Sequence, residues 1–102
     1  MKTKIILAIL CIAFIESCKK SSQTYTPSCT GAAKSWATDV KPLLSANCVS
    51  CHSSFSNYTT VSNSLSTIRS KVVDGSMPQS SSLTSTQKDI IVCWIDNGAK
   101  NN

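Results

Sequence analysis

The sequence predicts a small all-α domain with a thin core. Its 102 residues allow one domain, since domains commonly hold roughly 100–200 residues. Apolar residues recur at helical spacing in three stretches, and no stretch of useful length alternates as a strand does. Only 6% of the residues are aromatic, and domains this small usually need disulfides, a metal or a cofactor for stability. The six cysteines and the single histidine are therefore the first candidates for that role.

Residues 1–17 have the pattern of an export signal. Lys2 and Lys4 precede an apolar run at 5–15, which has the length of a signal peptide's hydrophobic region and is shorter than the ~20 residues that span a bilayer. The run ends in Ile-Glu-Ser-Cys, which resembles the lipobox of bacterial lipoproteins, where Cys18 would carry the lipid. Cleavage by a signal peptidase nearby, without lipid, is the alternative. We expect a protein of the cell envelope, anchored to a membrane by lipid, with its folded domain in the periplasm.

The chain after the export signal divides into two parts. Residues 18–31 lack apolar periodicity and are predicted to be a lipid-anchored flexible tether, and residues 32–102 are predicted to be the folded domain. Without residues 1–17 the chain carries 8 basic and 4 acidic side chains, a net charge of +4. It has no basic stripe interleaved with aromatic residues, so nucleic-acid binding has no support.

The first helix is predicted between residues 32 and 47. Its apolar side chains fall on one helical face, namely Trp36, Val40, Leu43 and Leu44. Pro42 interrupts this helix, because its ring clashes with the carbonyl four residues earlier. We therefore expect either a kink or a main body that starts near residue 38 or 39, with Pro42 in its opening turn.

Two further helices are predicted, a short one near 59–70 and a longer one at 85–97. The short helix has apolar side chains three or four positions apart, namely Tyr58, Val61, Leu65 and Ile68. Before the longer helix, Thr84 and Gln87 have the spacing of a capping box. Its apolar face consists of Ile90, Ile91, Trp94 and Ile95, and the Asn-Gly pair at 97–98 is a typical helix end.

The Cys-Val-Ser-Cys-His motif at 48–52 predicts covalent haem attachment. Two thiols three positions apart can reach the two vinyl groups of one haem and form thioethers, and the adjacent imidazole can then bind the iron. Cys48 and Cys51 are therefore predicted to hold one haem c, with His52 as an axial ligand.

Two other interpretations of these cysteines are open. A C-x-x-C pair can be a thioredoxin-like redox centre, but that fold needs strands, which the sequence does not predict. A zinc site needs four ligands, and the spacing of the available cysteines is unlike that of a compact zinc knuckle. The cysteines that could in principle supply it are Cys29, Cys48, Cys51 and Cys93.

The Gly-Ser-Met-Pro segment at 75–78 contains a candidate for the second axial ligand. Met77 offers a thioether, Gly75 a permissive backbone, and Pro78 a fixed chain direction. After removal of the expected signal peptide, Met77 is the only methionine. A methionine that fills a gap in the core is the alternative.

Taken together, these motifs resemble a small monohaem class I cytochrome c domain of the kind found in bacterial envelope proteins. The resemblance extends over nearly all of residues 32–99. Its segments are 39–44, 48–52, 75–78, 83–84 and 94–99. It implies a cytochrome c-like fold in which an N-terminal helix crosses a C-terminal helix around the haem, with Trp94 nearby. The 24 residues between His52 and Met77 are few for this family, which implies an exposed haem edge.

The same resemblance implies a disulfide between Cys29 and Cys93. Cys11 would leave with the signal peptide, and the lipid and the haem would use three other cysteines. The family's fold brings the first and last helices together, and the oxidising cell envelope permits the bond. Two separate buried thiols are the alternative.

The function that the resemblance implies is electron transfer. Iron bound by both His52 and Met77 has no open site for a substrate and can only change its oxidation state. We expect a monomer that is not an enzyme, with redox proteins of the envelope as partners. If Met77 does not bind, the alternative is a haem enzyme or sensor that acts on peroxide or another small ligand. A third interpretation is a structural lipoprotein stabilised by its haem.

Overall fold

The computed structural model describes residues 24–102, and every regular element among them is a helix. This confirms the all-α prediction for that part of the chain. The predicted signal peptide at 1–17 and the predicted lipidation site Cys18 lie outside the described residues. No helix within 24–102 combines the length and the apolar character that crossing a membrane requires.

The first helical stretch begins with a wide turn and continues as a regular α-helix. Trp36–Val40 is a π-helical turn, in which the Val40 N–H donates to the Ser35 carbonyl at 3.1 Å. Helix α1 follows directly at Lys41–Asn47, with Pro42 in its first turn as predicted. Because a proline has no amide hydrogen and crowds the carbonyl four residues earlier, the regular α register starts only here.

The helix predicted near 59–70 is in fact two helices. Helix α2 is Tyr58–Ser62 and helix α3 is Leu65–Asp74, so the prediction of one continuous helix is wrong. Between them the Ser64 N–H donates to the Val61 carbonyl at 2.9 Å, three residues back, which tightens the chain. Serine and asparagine side chains compete for backbone groups, and this favours a break in so polar a segment.

The final helix, α4, is Ser85–Asp96 and agrees closely with its prediction. The Gln87 N–H donates to Thr84 Oγ1 at 3.2 Å, and the Thr84 N–H donates to Gln87 Oε1 at 2.9 Å. The predicted capping box is thereby confirmed. Beyond the helix Gly98 has φ +98°, a left-handed conformation that favours glycine.

Helix α4 packs against both the π-helical turn and α3. The rings of Trp36 and Trp94 lie 5.6 Å apart, and the Tyr58 ring meets them edge-on at 5.5 and 6.3 Å. The contact between Trp36 and Trp94 shows that the first helical stretch and the last are in direct contact.

On the surface Arg69 of α3 forms a two-pronged ion pair with Asp96 of α4, with N···O distances of 2.7 and 2.9 Å. The buried core consists of Trp36, Val40, Leu44, Val61, Ile68, Val72, Leu83, Ile91, Val92, Cys93, Trp94 and Ala99.

Residues 25–29, called the strap below, lie against α4. Asp89 Oδ1 accepts a hydrogen bond from the Tyr25 hydroxyl at 2.5 Å and another from the Ser28 N–H at 3.0 Å. The strap falls within residues 18–31, which the sequence predicts to be a flexible tether. This part of the predicted tether is instead fixed to the helical domain.

The strap ends in a covalent link to α4. The Sγ atoms of Cys29 and Cys93 are 2.06 Å apart and the Cα atoms 5.4 Å apart, which are the distances of a disulfide bond. Cys29 is exposed, whereas Cys93 is buried. Of the two arrangements that the sequence leaves open, bonded or separate, the structure has the bonded one.

Candidate functional site

The Cys48–His52 segment forms a tight turn at the end of α1. The Cys48 N–H donates to the Leu44 carbonyl at 2.8 Å and ends the helix. The Cys48 carbonyl then accepts from two amides, that of Cys51 at 3.2 Å and that of His52 at 2.8 Å. The backbone thus folds back on itself, and the two thiols and the imidazole are carried by a single turn.

The two thiols of this turn differ in their surroundings. Cys48 is half-buried and packs against the core, and burial raises the pKa of its thiol. Cys51 is exposed. Neither thiol is in a disulfide, although the remaining cysteine pair of the described residues is bonded. Both sulfur atoms therefore remain available to bind another group.

The imidazole of His52 is oriented by an aromatic ring, a contact that sequence analysis missed. The His52 and Phe55 rings stack with 4.8 Å between their centroids and 16° between their planes. The Phe55 N–H also donates to the His52 carbonyl at 2.9 Å, within a 3₁₀ turn at Ser53–Ser56. Phe55 itself packs against the core. The sequence gives little indication of this contact, because Phe55 is a single aromatic residue in a serine-rich segment.

Met77 lies on a separate loop that follows α3. Gly75 ends that helix with φ +78°, as its permissive backbone allows. The Ser76 N–H donates to Asp74 Oδ1 at 2.8 Å, and the Met77 N–H donates to the Lys71 carbonyl at 3.3 Å. The Met77 residue is half-buried. No hydrogen bond in the described part of the chain joins this loop to the Cys48–His52 turn.

The four-cysteine zinc site is contradicted by the structure. Two of its four candidate ligands, Cys29 and Cys93, are bonded to each other. The thioredoxin-like interpretation also lacks the strands that it needs, since the described residues contain helices only.

Trp94 is a core residue of α4. Its side chain is 1% exposed, and its indole N–H donates to the Lys100 carbonyl at 3.0 Å. That bond satisfies the one polar atom of the buried ring, which would otherwise be costly to bury. In the structure the neighbours of the ring are Trp36 and Tyr58.

No protein-family model, no curated protein and no solved structure matches this chain. The candidate functional groups are those of the Cys48–His52 turn and of the Met77 loop.

Proposed function

We propose that this protein is a membrane-anchored monohaem c-type cytochrome that transfers single electrons between redox proteins of the cell envelope. The observation that carries the proposal is the Cys48–His52 turn, which presents two unbonded thiols and an adjacent imidazole. Few other cofactors use this combination of groups at this spacing.

The donor set of the turn suits haem in its chemistry. Cys48 and Cys51 would hold the haem through thioethers, and the imidazole of His52 would bind the iron. Residues 42–68 contain no lysine, arginine, aspartate or glutamate, so a largely apolar macrocycle would cover no charged side chain of that segment. When bound, haem supplies a one-electron redox couple.

The chain's own contribution is to hold these groups in place. The Cys48 carbonyl fixes the turn through two amides, and Phe55 stacks on the imidazole that would bind iron. Met77, on its loop after α3, would be the second protein ligand of the iron and would leave no position for a substrate. Iron bound by both His52 and Met77 has no position open to a substrate and can only change its oxidation state. The proposed function is therefore electron transfer and not enzymatic.

The finer fold and the location belong to the same proposal. The contact between the π-helical turn and α4 is compatible with a cytochrome c-like arrangement around the haem. Cys18 would carry the lipid that holds the protein at a membrane of the envelope, and the domain would act as a monomer.

An open iron site is the second candidate function. It applies if Met77 does not bind the iron. In that case the protein would bind peroxide or another small ligand. A visible spectrum separates the two, because methionine ligation gives a low-spin iron with a sulfur-to-iron band, whereas an open site is high-spin.

The decisive experiment is haem extraction from the full chain, expressed with the machinery for c-type haem attachment. Acid-acetone should leave the haem on the wild-type polypeptide, and Cys51→Ser should retain at most one thioether. The matched control is Cys29→Ser, which removes a cysteine that the proposal does not use and should keep both thioethers. Release of all haem from the wild type would refute covalent attachment.

A further inference from the structure

The strap and the Met77 loop meet at one side chain, Lys88 of α4. Its Nζ atom lies 5.0 Å from the centroid of the Tyr25 ring, within the range of a cation–π interaction. A Cβ built on Gly75 would lie 3.7 Å from the same Nζ atom. The ammonium group is therefore positioned between the strap and the residue at which the Met77 loop begins.

This position suits a positive charge for two separate reasons. The face of an aromatic ring attracts a cation, and so does the C-terminal end of a helix, where backbone carbonyls lack partners. Gly75 is the residue that ends α3, so Lys88 lies at such a helix end. Tyr25 is fixed in turn, because its hydroxyl donates to Asp89, the next residue of α4.

The Met77 loop is short and is tied to the same end of α3. The Ser76 N–H donates to the Asp74 carboxylate, and the Met77 N–H donates to the Lys71 carbonyl. Both amides of the loop are therefore held by the last turn of α3. A group that stabilises the end of α3 therefore also stabilises the loop on which the thioether of Met77 is carried.

We propose that Lys88, held by Tyr25 of the strap, is a positioning residue for the Met77 loop. The inference rests on the proposed function, and it makes iron ligation by Met77 dependent on the docked strap. The strap is part of the predicted tether at 18–31. Loss of the contact between Tyr25 and Lys88 would therefore weaken the binding of iron by Met77.

The first test is hydrogen exchange, which needs no haem. In the full chain in detergent, Lys88→Met should make the Met77 amide exchange roughly 3- to 10-fold faster, because it removes the attraction of the ammonium group to the Tyr25 ring and to the end of α3, where the Asp74 carboxylate also lies. Lys88→Arg keeps the charge and should restore the wild-type rate. The matched control is Lys100→Met, which removes an exposed lysine with the same change of charge and should leave the rate unchanged.

The strap has its own pair of variants. Tyr25→Leu removes the aromatic ring and should accelerate exchange at Met77 as Lys88→Met does. Tyr25→Phe keeps the ring and should have a smaller effect, since only the hydrogen bond to Asp89 is lost. Unchanged exchange at Met77 in both Lys88→Met and Tyr25→Leu would overturn the proposal.

The second test uses the haem-loaded protein and separates this inference from the proposed function. Carbon monoxide should displace Met77 from the reduced iron several-fold faster in Lys88→Met than in the wild type or Lys100→Met. If the wild type shows the sulfur-to-iron band and this rate does not change, the positioning role is refuted. If the wild type lacks the band but exchange at Met77 responds as expected, ligation by Met77 is refuted and Lys88 still positions the loop.

Discussion

Cys48 and Cys51 are three positions apart in the chain, yet they differ in how far they are buried. Cys48 ends α1 and packs against the core, whereas Cys51 is exposed one turn later. A buried thiol is harder to ionise and harder to reach, and the thiolate is the reactive form. The two sulfurs are therefore unequal before any cofactor is present.

The expected consequence is ordered alkylation of the haem-free protein. Iodoacetamide near neutral pH should modify Cys51 faster than Cys48, because burial raises the pKa of the Cys48 thiol and limits access to it. Peptide mass spectrometry at a series of times measures both rates. Equal rates in the folded protein would contradict the burial of Cys48, and equal rates in urea are the control.

Removing the thioether of Met77 should open the iron. In the haem-loaded protein Met77→Ala should lose the sulfur-to-iron band, acquire a lower reduction potential and bind carbon monoxide. The exposed neighbour Gln79 provides the control, since Gln79→Ala leaves the proposed ligand in place. A Met77→Ala spectrum identical to that of the wild type would show that this methionine only packs.

At the residue scale, the order of Cys48, Cys51 and His52 in the sequence predicts a haem-binding site, and in the structure one turn carries all three. Their role as such a site stays a prediction. Phe55 was missed, because an aromatic residue in a serine-rich segment has no periodic partner to reveal its role. Its stacking on His52 depends on the 3₁₀ turn between them, which single-residue patterns do not specify.

At the element scale, helix ends decide how well each helix was predicted. Helix α4 has a complete capping box, and its start was predicted to the residue.

The capping box provides a clear test. Thr84→Ala should lower the free energy of unfolding by about 1 kcal/mol, because an amide of the first turn loses its acceptor. Thr84→Ser keeps the hydroxyl and should cost less, and urea denaturation measures both variants.

The attachment of the strap to α4 should depend on pH. The Ser28 N–H and the Tyr25 hydroxyl hold the pKa of Asp89 below its usual range. A carboxyl with a lowered folded-state pKa stabilises the fold above its unfolded value of about 3.9, and this contribution disappears as the pH falls through the folded-state pKa. Unfolding by urea should therefore become easier below about pH 4. Asp89→Asn should reduce that pH dependence, and identical profiles for the two proteins would contradict the attachment.

The elements that sequence analysis missed are those stabilised by contacts rather than by periodicity. The π-helical turn depends on the hydrogen-bond register around Pro42, and the break between α2 and α3 depends on backbone bonds at Ser64. The strap contains one aromatic residue, Tyr25, in a polar segment, so no pattern predicts its docking. Its partner Asp89 lies four positions before Cys93 on α4. The expected Cys29–Cys93 bond places the two segments close together, but it does not specify the hydrogen bond between Tyr25 and Asp89.

For the whole molecule, the principal long-range connection is the bond between Cys29 and Cys93. Loss of this bond should lower the free energy of unfolding by about 4 kcal/mol in the chain-entropy description, given the sequence separation of 64. Cys29→Ser, Cys93→Ser and the double variant should each lose about the same amount, because all three break one bond. Urea denaturation without reductant measures the losses, and additive losses would contradict the bond.

The same bond determines which part of the chain a pulling force can extend. Tension applied between residues 24 and 102 passes along the covalent chain from Cys29 directly to Cys93, so the backbone between the two cysteines cannot be extended while the bond is intact. Cys29 and Cys93 are 64 positions apart, so a loop of 63 residues lies between them. These residues are outside the covalent path of the tension while the bond is intact. That loop contains both the Cys48–His52 turn and Met77. In a molecule held at a surface by its N-terminal end, the covalent path of the load would thus enter α4 at Cys93, and the proposed haem-binding segments would lie outside that path.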